Sequence, residues 1–231
     1  MNRLKLILIV VMITCGAVVA QAQDEQDADS LRFTFIGNSA FLIEDGEFVI
    51  AADFPYRSGS RGYMQYDFEE VKPGGIVVCL ITHGHPDHWE FAHYVKASWA
   101  LIGPRSVTSA IRGYETIPIE GEEPIEWESI LVEPRETYHG GMEHYSFLVT
   151  WHGVRMYFSG DAESTEYIMQ ETDLDVAFVT PWLLAALKLN NETVDADRIV
   201  IHHHYSREVV QEYADRVVPA QGGTFEIPFR E

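Results

Sequence analysis

Residues 82–88, Thr-His-Gly-His-Pro-Asp-His, place three imidazoles and one carboxylate within six consecutive positions, His83, His85, Asp87 and His88. Neutral imidazole and carboxylate are the donors preferred by zinc, iron and manganese. The run follows directly on Ile76-Val77-Val78-Cys79-Leu80-Ile81, an apolar stretch that predicts a buried strand. The ligand-type groups therefore sit in the loop where that strand ends, and such a loop can aim several of them at one point. A lone His-x-His pair reads as a solvated turn. Four ligand types packed this tightly, in a chain of 231 residues with 10 His, read as a metal site.

One loop supplies too few ligands for two metals, so the ends of other strands matter. Three offer candidates: His139 in Tyr-His-Gly-Gly, Asp161 in Phe-Ser-Gly-Asp, and the triplet His202-His203-His204. The elements that must position them are legible in part. Residues 31–37 and 41–44 predict strands, Asp45-Gly46 a hairpin turn, and 47–52 the returning strand. Residues 54–75 read as a long loop. Helices are expected over 87–97, 104–112, 164–170 and 206–217, and 181–188 is an apolar helix or a lip over the site. Strands are expected over 99–103, within 117–134, and at 145–151, 154–158, 175–180 and 198–202. Many early strands mixed later with helices predict a layered α/β domain.

Composition narrows the function. With 16 Lys and Arg against 36 Asp and Glu, the formal charge is −20. Such a surface repels phosphate backbones, which argues against a nucleic-acid partner. Arg3 and Lys5, the apolar residues 6–13 and Ala20-Gln21-Ala22 have the form of a signal peptide, residues 1–22, cut after Ala22. A flexible leader over 23–30 and one domain over 31–231 would follow, in an exported protein, periplasmic or secreted, with no stable membrane insertion. Cys79 would then be the one cysteine left, buried in its strand. No Gly-x-Ser-x-Gly element is present, which argues against a covalent serine route.

The order His-x-His-x-Asp-His, then His, then Gly-Asp, then His resembles the metallo-β-lactamase-fold hydrolases through nearly the whole mature chain. The opening IGNSAFLIEDGEFVIAADF resembles the subgroup of L-ascorbate-6-phosphate lactonase-like and N-acyl-phosphatidylethanolamine phospholipase D-like proteins. The resemblance implies a four-layer αβ/βα sandwich (metallo-β-lactamase fold) and two divalent metal ions, zinc with iron or manganese as alternatives. One metal would take His83, His85 and His139, and the other Asp87, His88 and His204, with Asp161 bridging both. Asp53 would orient the site from behind the ligands. His144 is a rival to His139. His202 is a rival to His204, because alternate residues of a strand share a face. Asn38 departs from the subgroup, which often has His there. The implied activity is hydrolysis of a lactone or phosphodiester by a metal-bridging hydroxide, with Asp87 and Asp161 as catalytic carboxylates. A di-iron redox protein and a non-catalytic metal-binding protein are the alternatives. Tyr56, Arg57, Arg61, Tyr63 and Trp182 are grouped as candidate pocket residues, with His93 read as a packing or surface residue and His152 as a solvated turn residue.

Overall fold

The computed structural model describes residues 29–205 and 216–230, so the signal peptide expected over 1–22 and all but the end of the leader expected over 23–30 lie outside the described residues. Two seven-stranded mixed sheets stack face to face. The first is built from β1 (Ser30–Gly37), β2 (Ala40–Glu44), β3 (Phe48–Ala52), β4 (Ile76–Leu80), β5 (Ala100–Gly103) and β6 (Thr116–Pro118), in sequence order. The second runs through β7 (Ile125–Trp127), β8 (Ile130–Glu136), β9 (Tyr145–Trp151), β10 (Val154–Phe158), β11 (Leu174–Val179), β12 (Ala196–Ile201) and β13 (Arg216–Val217). The last strand, β14 (Thr224–Pro228), crosses back and pairs antiparallel with β1 in the first sheet.

Side-chain alternation builds the layers. Phe33 and Phe35 of β1, Val78 and Leu80 of β4, and Phe147, Phe158 and Phe178 of the second sheet fill the space between the sheets. The other face of β4, Val77 and Cys79, packs outward with Phe68 and Tyr94, which belong to α1 (Phe68–Val71) and α2 (Phe91–Ala97). Burial on both faces is why β4 reads as an unbroken apolar run. On the far side, Tyr157, Ala177 and Val179 pack against Leu183 and Leu187 of α4 (Pro181–Asn190). Thr180 caps that helix by accepting from the Leu183 amide at 3.2 Å, with Pro181 in its first turn. Helix, sheet, sheet and helix make the four layers of the metallo-β-lactamase fold.

Several expectations are corrected. Residues 164–170 make a single turn closed by Met169 N to Thr165 O at 3.1 Å, too short to continue as a helix. The helix expected over 104–112 shrinks to α3 (Arg105–Thr108), and that expected over 87–97 begins at Phe91. The helix expected over 206–217 lies largely outside the described residues, and its last two positions form β13. The strand β14 has no counterpart in the sequence reading. His152, expected to be solvated, bonds Asp45 Oδ2 at 2.9 Å and stacks on Phe229. It pins the end of β14 to the first hairpin.

Candidate metal centre

Six loop ends from both sheets meet at one rim of the sandwich. They are the β1–β2 turn with Asn38, Asp53 after β3, Thr82 to His88 after β4, His139 between β8 and β9, Asp161 after β10, and His203 after β12. The ligand-type atoms fall into two groups, His83, His85, His139 and Asp161, and Asp87, His88 and His203.

Asp161 stands between them. Its Oδ2 lies 3.9 Å from His83 Nε2 and 3.7 Å from His139 Nε2. Its Oδ1 lies 3.3 Å from both His88 Nε2 and His203 Nε2. His203 Nε2 is also 3.5 Å from Asp87 Oδ2. His83 Nε2 approaches His85 Nδ1 at 2.9 Å. Donors held about 2.1 Å from a tetrahedral zinc stand about 3.4 Å from one another, which is the scale of these separations. Both oxygens of Asp87, Oδ1 of Asp161, and Nε2 of His88 and His203 are buried without a hydrogen-bond partner. Orphaned groups of this kind are costly unless something shared satisfies them. The donor set and its spacing fit two divalent cations, one per group, with Asp161 serving both.

The scaffold behind the ligands fixes their orientation. Asp53 accepts from the Thr82 amide at 2.9 Å and faces His88 Nδ1 at 2.8 Å. Thr82 Oγ1 contacts Asp53 and, at 3.0 Å, His83 Nδ1. Both imidazoles are thereby turned with Nε2 toward the cluster. Glu163 Oε1 stands 3.3 Å from His139 Nδ1 and accepts from the Gly140 amide at 3.2 Å. His144 does not join the cluster. Its Nε2 accepts from the Asp161 amide at 2.9 Å and its Nδ1 meets Thr137 Oγ1 at 2.7 Å. It therefore holds the backbone that presents Asp161.

The third histidine is His203, in place of the expected His204. The strand ends at Ile201, and His203 takes a left-handed backbone, φ 56°. Strand alternation stops applying at that turn, so the parity argument for His202 and His204 fails there. His202 is buried with Nδ1 on Ser39 Oγ at 3.1 Å, and His204 packs against Phe35. Asn38 ties the two sides together. Its side-chain amide donates to Asp87 O at 2.6 Å, and its own carbonyl accepts from the His203 amide at 2.7 Å. The sequence marked Asn38 only as a departure from the subgroup.

Electrostatics follow from this crowding. Burial alone would raise the Asp161 carboxyl, but His88 and His203 outweigh it and hold it well below the ordinary range. Burial disfavours the His88 imidazolium, yet Asp161 and Asp53 raise it well above its usual value. His144 is lowered to about 3, chiefly by burial, so its Nε2 stays an acceptor. An open cleft of about 530 Å³ lies over the cluster, lined by Arg61, Tyr63, Glu163 and Trp182 besides the ligands. Of the pocket group, Arg61, Tyr63 and Trp182 reach it. Tyr56 is buried on Met64 O, and Arg57 pairs with Glu90.

Two stacked mixed sheets with a His/Asp cluster at one rim define a metal-binding protein of the metallo-β-lactamase type. The β-lactamase superfamily domain model matches residues 32–182, more than half of the chain, and the chain belongs to that family. A metal-dependent hydrolase of Deinococcus radiodurans is 26% identical over 168 residues, covering 64% of this chain and 71% of that one. A similarly named protein of Brucella anthropi is 40% identical over 58 residues, a span of 25% of this chain and 24% of that one. Among solved structures, the metallo hydrolase Igni18 from Ignicoccus hospitalis superposes with a TM-score of 0.67 at 16% identity, covering 87% of this chain and 100% of that one. The metallo-β-lactamase fold protein YhfI from Bacillus subtilis gives 0.61 at 12% identity, covering 86% and 100%.

Proposed function

We propose that this chain is a hydrolase that loads two divalent cations, zinc by its donor set, and acts on a small ester-like substrate, a lactone or a phosphodiester. The observation that carries this is the Asp161 carboxylate with one oxygen toward each ligand group. His83, His85 and His139 would hold one cation, Asp87, His88 and His203 the other, and Asp161 both. A cation pair there would supply Lewis acidity and a water acidic enough to serve as nucleophile near neutral pH.

The chain's own residues do the rest. Asp53 and Thr82 engage Nδ1 of His88 and His83, which leaves Nε2 of each aimed at the cluster, where a cation would take the place of any proton on it. Asp87, fully buried beside His203, is the carboxylate placed to take the proton of the attacking water. Trp182 fixes one wall of the cleft by donating from Nε1 to Ala162 O at 3.2 Å and meeting His203 edge-on. The Cys79 thiol is buried among apolar side chains, and its ionisation is pushed up by that burial, so it is not a nucleophile.

The resemblance to the lactonase-like and phospholipase D-like subgroup supports the choice of lactones and phosphodiesters. The N-terminal residues 1–22 support export, with a mature chain that begins after Ala22. Mass spectrometry of protein recovered from outside the cytoplasm tests that cut.

The experiment for the whole reading is metal analysis of the purified chain, followed by a panel of lactones, phosphodiesters and β-lactams with and without chelation. Bound zinc and chelation-sensitive hydrolysis of one of the first two classes are expected. Redox-active iron in protein from its native cells, or a metal-replete chain that hydrolyses neither class and matches Asp87→Ala, overturns it.

A further inference from the structure

Among the described residues, Arg61 is the only arginine or lysine that lines the cleft. It sits in the tight turn Ser60–Gly62 with φ 54° and ψ 15°, a left-handed backbone that disfavours any residue with a Cβ. Gly59 and Gly62 on either side also have positive φ, 71° and 84°. The turn is fastened to the ligand loop, since Arg57 N donates to Pro86 O at 2.7 Å and Ser60 N to Arg57 O at 2.9 Å. Such conformations persist where the surrounding structure enforces them, and they gather at functional positions. Here the enforced backbone carries a guanidinium to the mouth of the metal centre.

What the guanidinium meets there is incomplete. Arg61 Nε stands 3.3 Å from Asp87 Oδ1, and the arginine side chain is 51% exposed while Asp87 is 0% exposed. Yet Asp87 Oδ1 has no aligned hydrogen-bond donor, so the contact is one of charge and does not lock the side chain. Guanidinium carries five N–H donors in a planar fork suited to carboxylate and phosphate. Arg61 lines the cleft, so with Asp87 engaged by a cation these donors would be available to a molecule bound there. Among the described lining residues the acidic one outside the cluster is Glu163, whose Oε1 accepts from the Gly140 amide and stands 3.3 Å from His139 Nδ1 as a contact of charge. The protein as a whole carries a net charge of −20, so its long-range field does not favour anions. A local cation is what would admit one.

We infer that Arg61 binds an oxyanion of the substrate, a carboxylate or a phosphate, beside the scissile bond. The inference rests on the hydrolase reading above and narrows its substrates to anionic esters.

The test compares zinc-loaded wild type with Arg61→Gln and Arg61→Lys at matched metal content, using inorganic phosphate and acetate as probes in calorimetry. Arg61→Gln is expected to weaken the preferred anion about tenfold or more, the loss of one or more charge-assisted hydrogen bonds. Arg61→Lys should recover part of it. Zinc affinity should stay at or above that of wild type, because the competing contact with Asp87 is gone. A loss seen with phosphate alone, or with acetate alone, identifies the oxyanion. Equal affinity of wild type and Arg61→Gln for both probes, at equal zinc content, overturns the role of Arg61 and leaves the hydrolase reading standing. A wild type that takes up no zinc sinks both.

Discussion

Asp53→Asn is an isosteric change behind the ligands whose consequence can be worked from hydrogen-bond roles. An ionised carboxylate accepts on both oxygens, whereas an amide accepts on one side and only donates on the other. In the protein one oxygen of Asp53 receives the Thr82 amide at 2.9 Å and the other faces His88 Nδ1 at 2.8 Å. The backbone amide can only donate, so the asparagine oxygen must stay with it. The new NH₂ then lies against His88 Nδ1, which has to accept. The ring proton is driven to Nε2, the atom 3.3 Å from Asp161 Oδ1, and a protonated nitrogen is no ligand. The flipped amide instead sets two donors against each other at Thr82. The first arrangement gives up Nε2 as a ligand atom, and the second gives up a buried hydrogen bond at a cost of about 1–3 kcal/mol. Loss of an outer partner of this kind lowers metal affinity roughly 10–100-fold. Competition with a chromophoric chelator reads this directly, and the cation that Asp87, His88 and His203 would hold should weaken more than the other. Asp53→Asn protein that binds both equivalents within about twofold of wild type would refute the tautomer argument, since that lies well below the expected loss.

His203→Ala should remove about one zinc per chain and His204→Ala none, because four ligands close a zinc site and only His203 faces the cluster; plasma emission analysis of dialysed protein decides between them. Gly160→Ala places a Cβ 2.7 Å from His144 Nε2 and 2.8 Å from Thr82, at φ +51°. It should cost about 1–3 kcal/mol of stability and loosen Asp161, read by denaturant unfolding and zinc content. The Asp45 carboxyl would be raised by burial, but His152 and the Phe48 and Glu47 amides outweigh this and hold it below its ordinary value. A depressed folded value means the stabilisation is complete above the unfolded carboxylate range, about pH 4, and is lost as pH falls through the folded value. Asp45→Asn should therefore be less stable than wild type at neutral pH, with the gap narrowing in acid, and equal gaps at pH 7 and in acid would count against the pairing.

Sequence alone determined what is encoded within a few neighbouring residues. The run from His83 to His88 is local, and the period-two pattern of the strands needs only adjacent side chains. The hairpin around His152-Gly153 is found with strands Tyr145–Trp151 and Val154–Phe158, as their alternation predicts. The outermost assignments depended on what comes from far along the chain. Whether His202, His203 or His204 faces the cluster turns on where β12 stops. That is set by a left-handed residue whose amide is held by Asn38 from the opposite sheet. His144 is marked in sequence only as a rival to His139, because its actual role is a hydrogen bond to a backbone amide 17 residues away. Arg61 sits in a stretch without periodicity, and its place over the cleft comes from a turn fastened to the ligand loop. Ligand types are a property of the chain, but which of them share a point in space is decided by packing between the two sheets, where residues far apart in sequence fix each other's backbone.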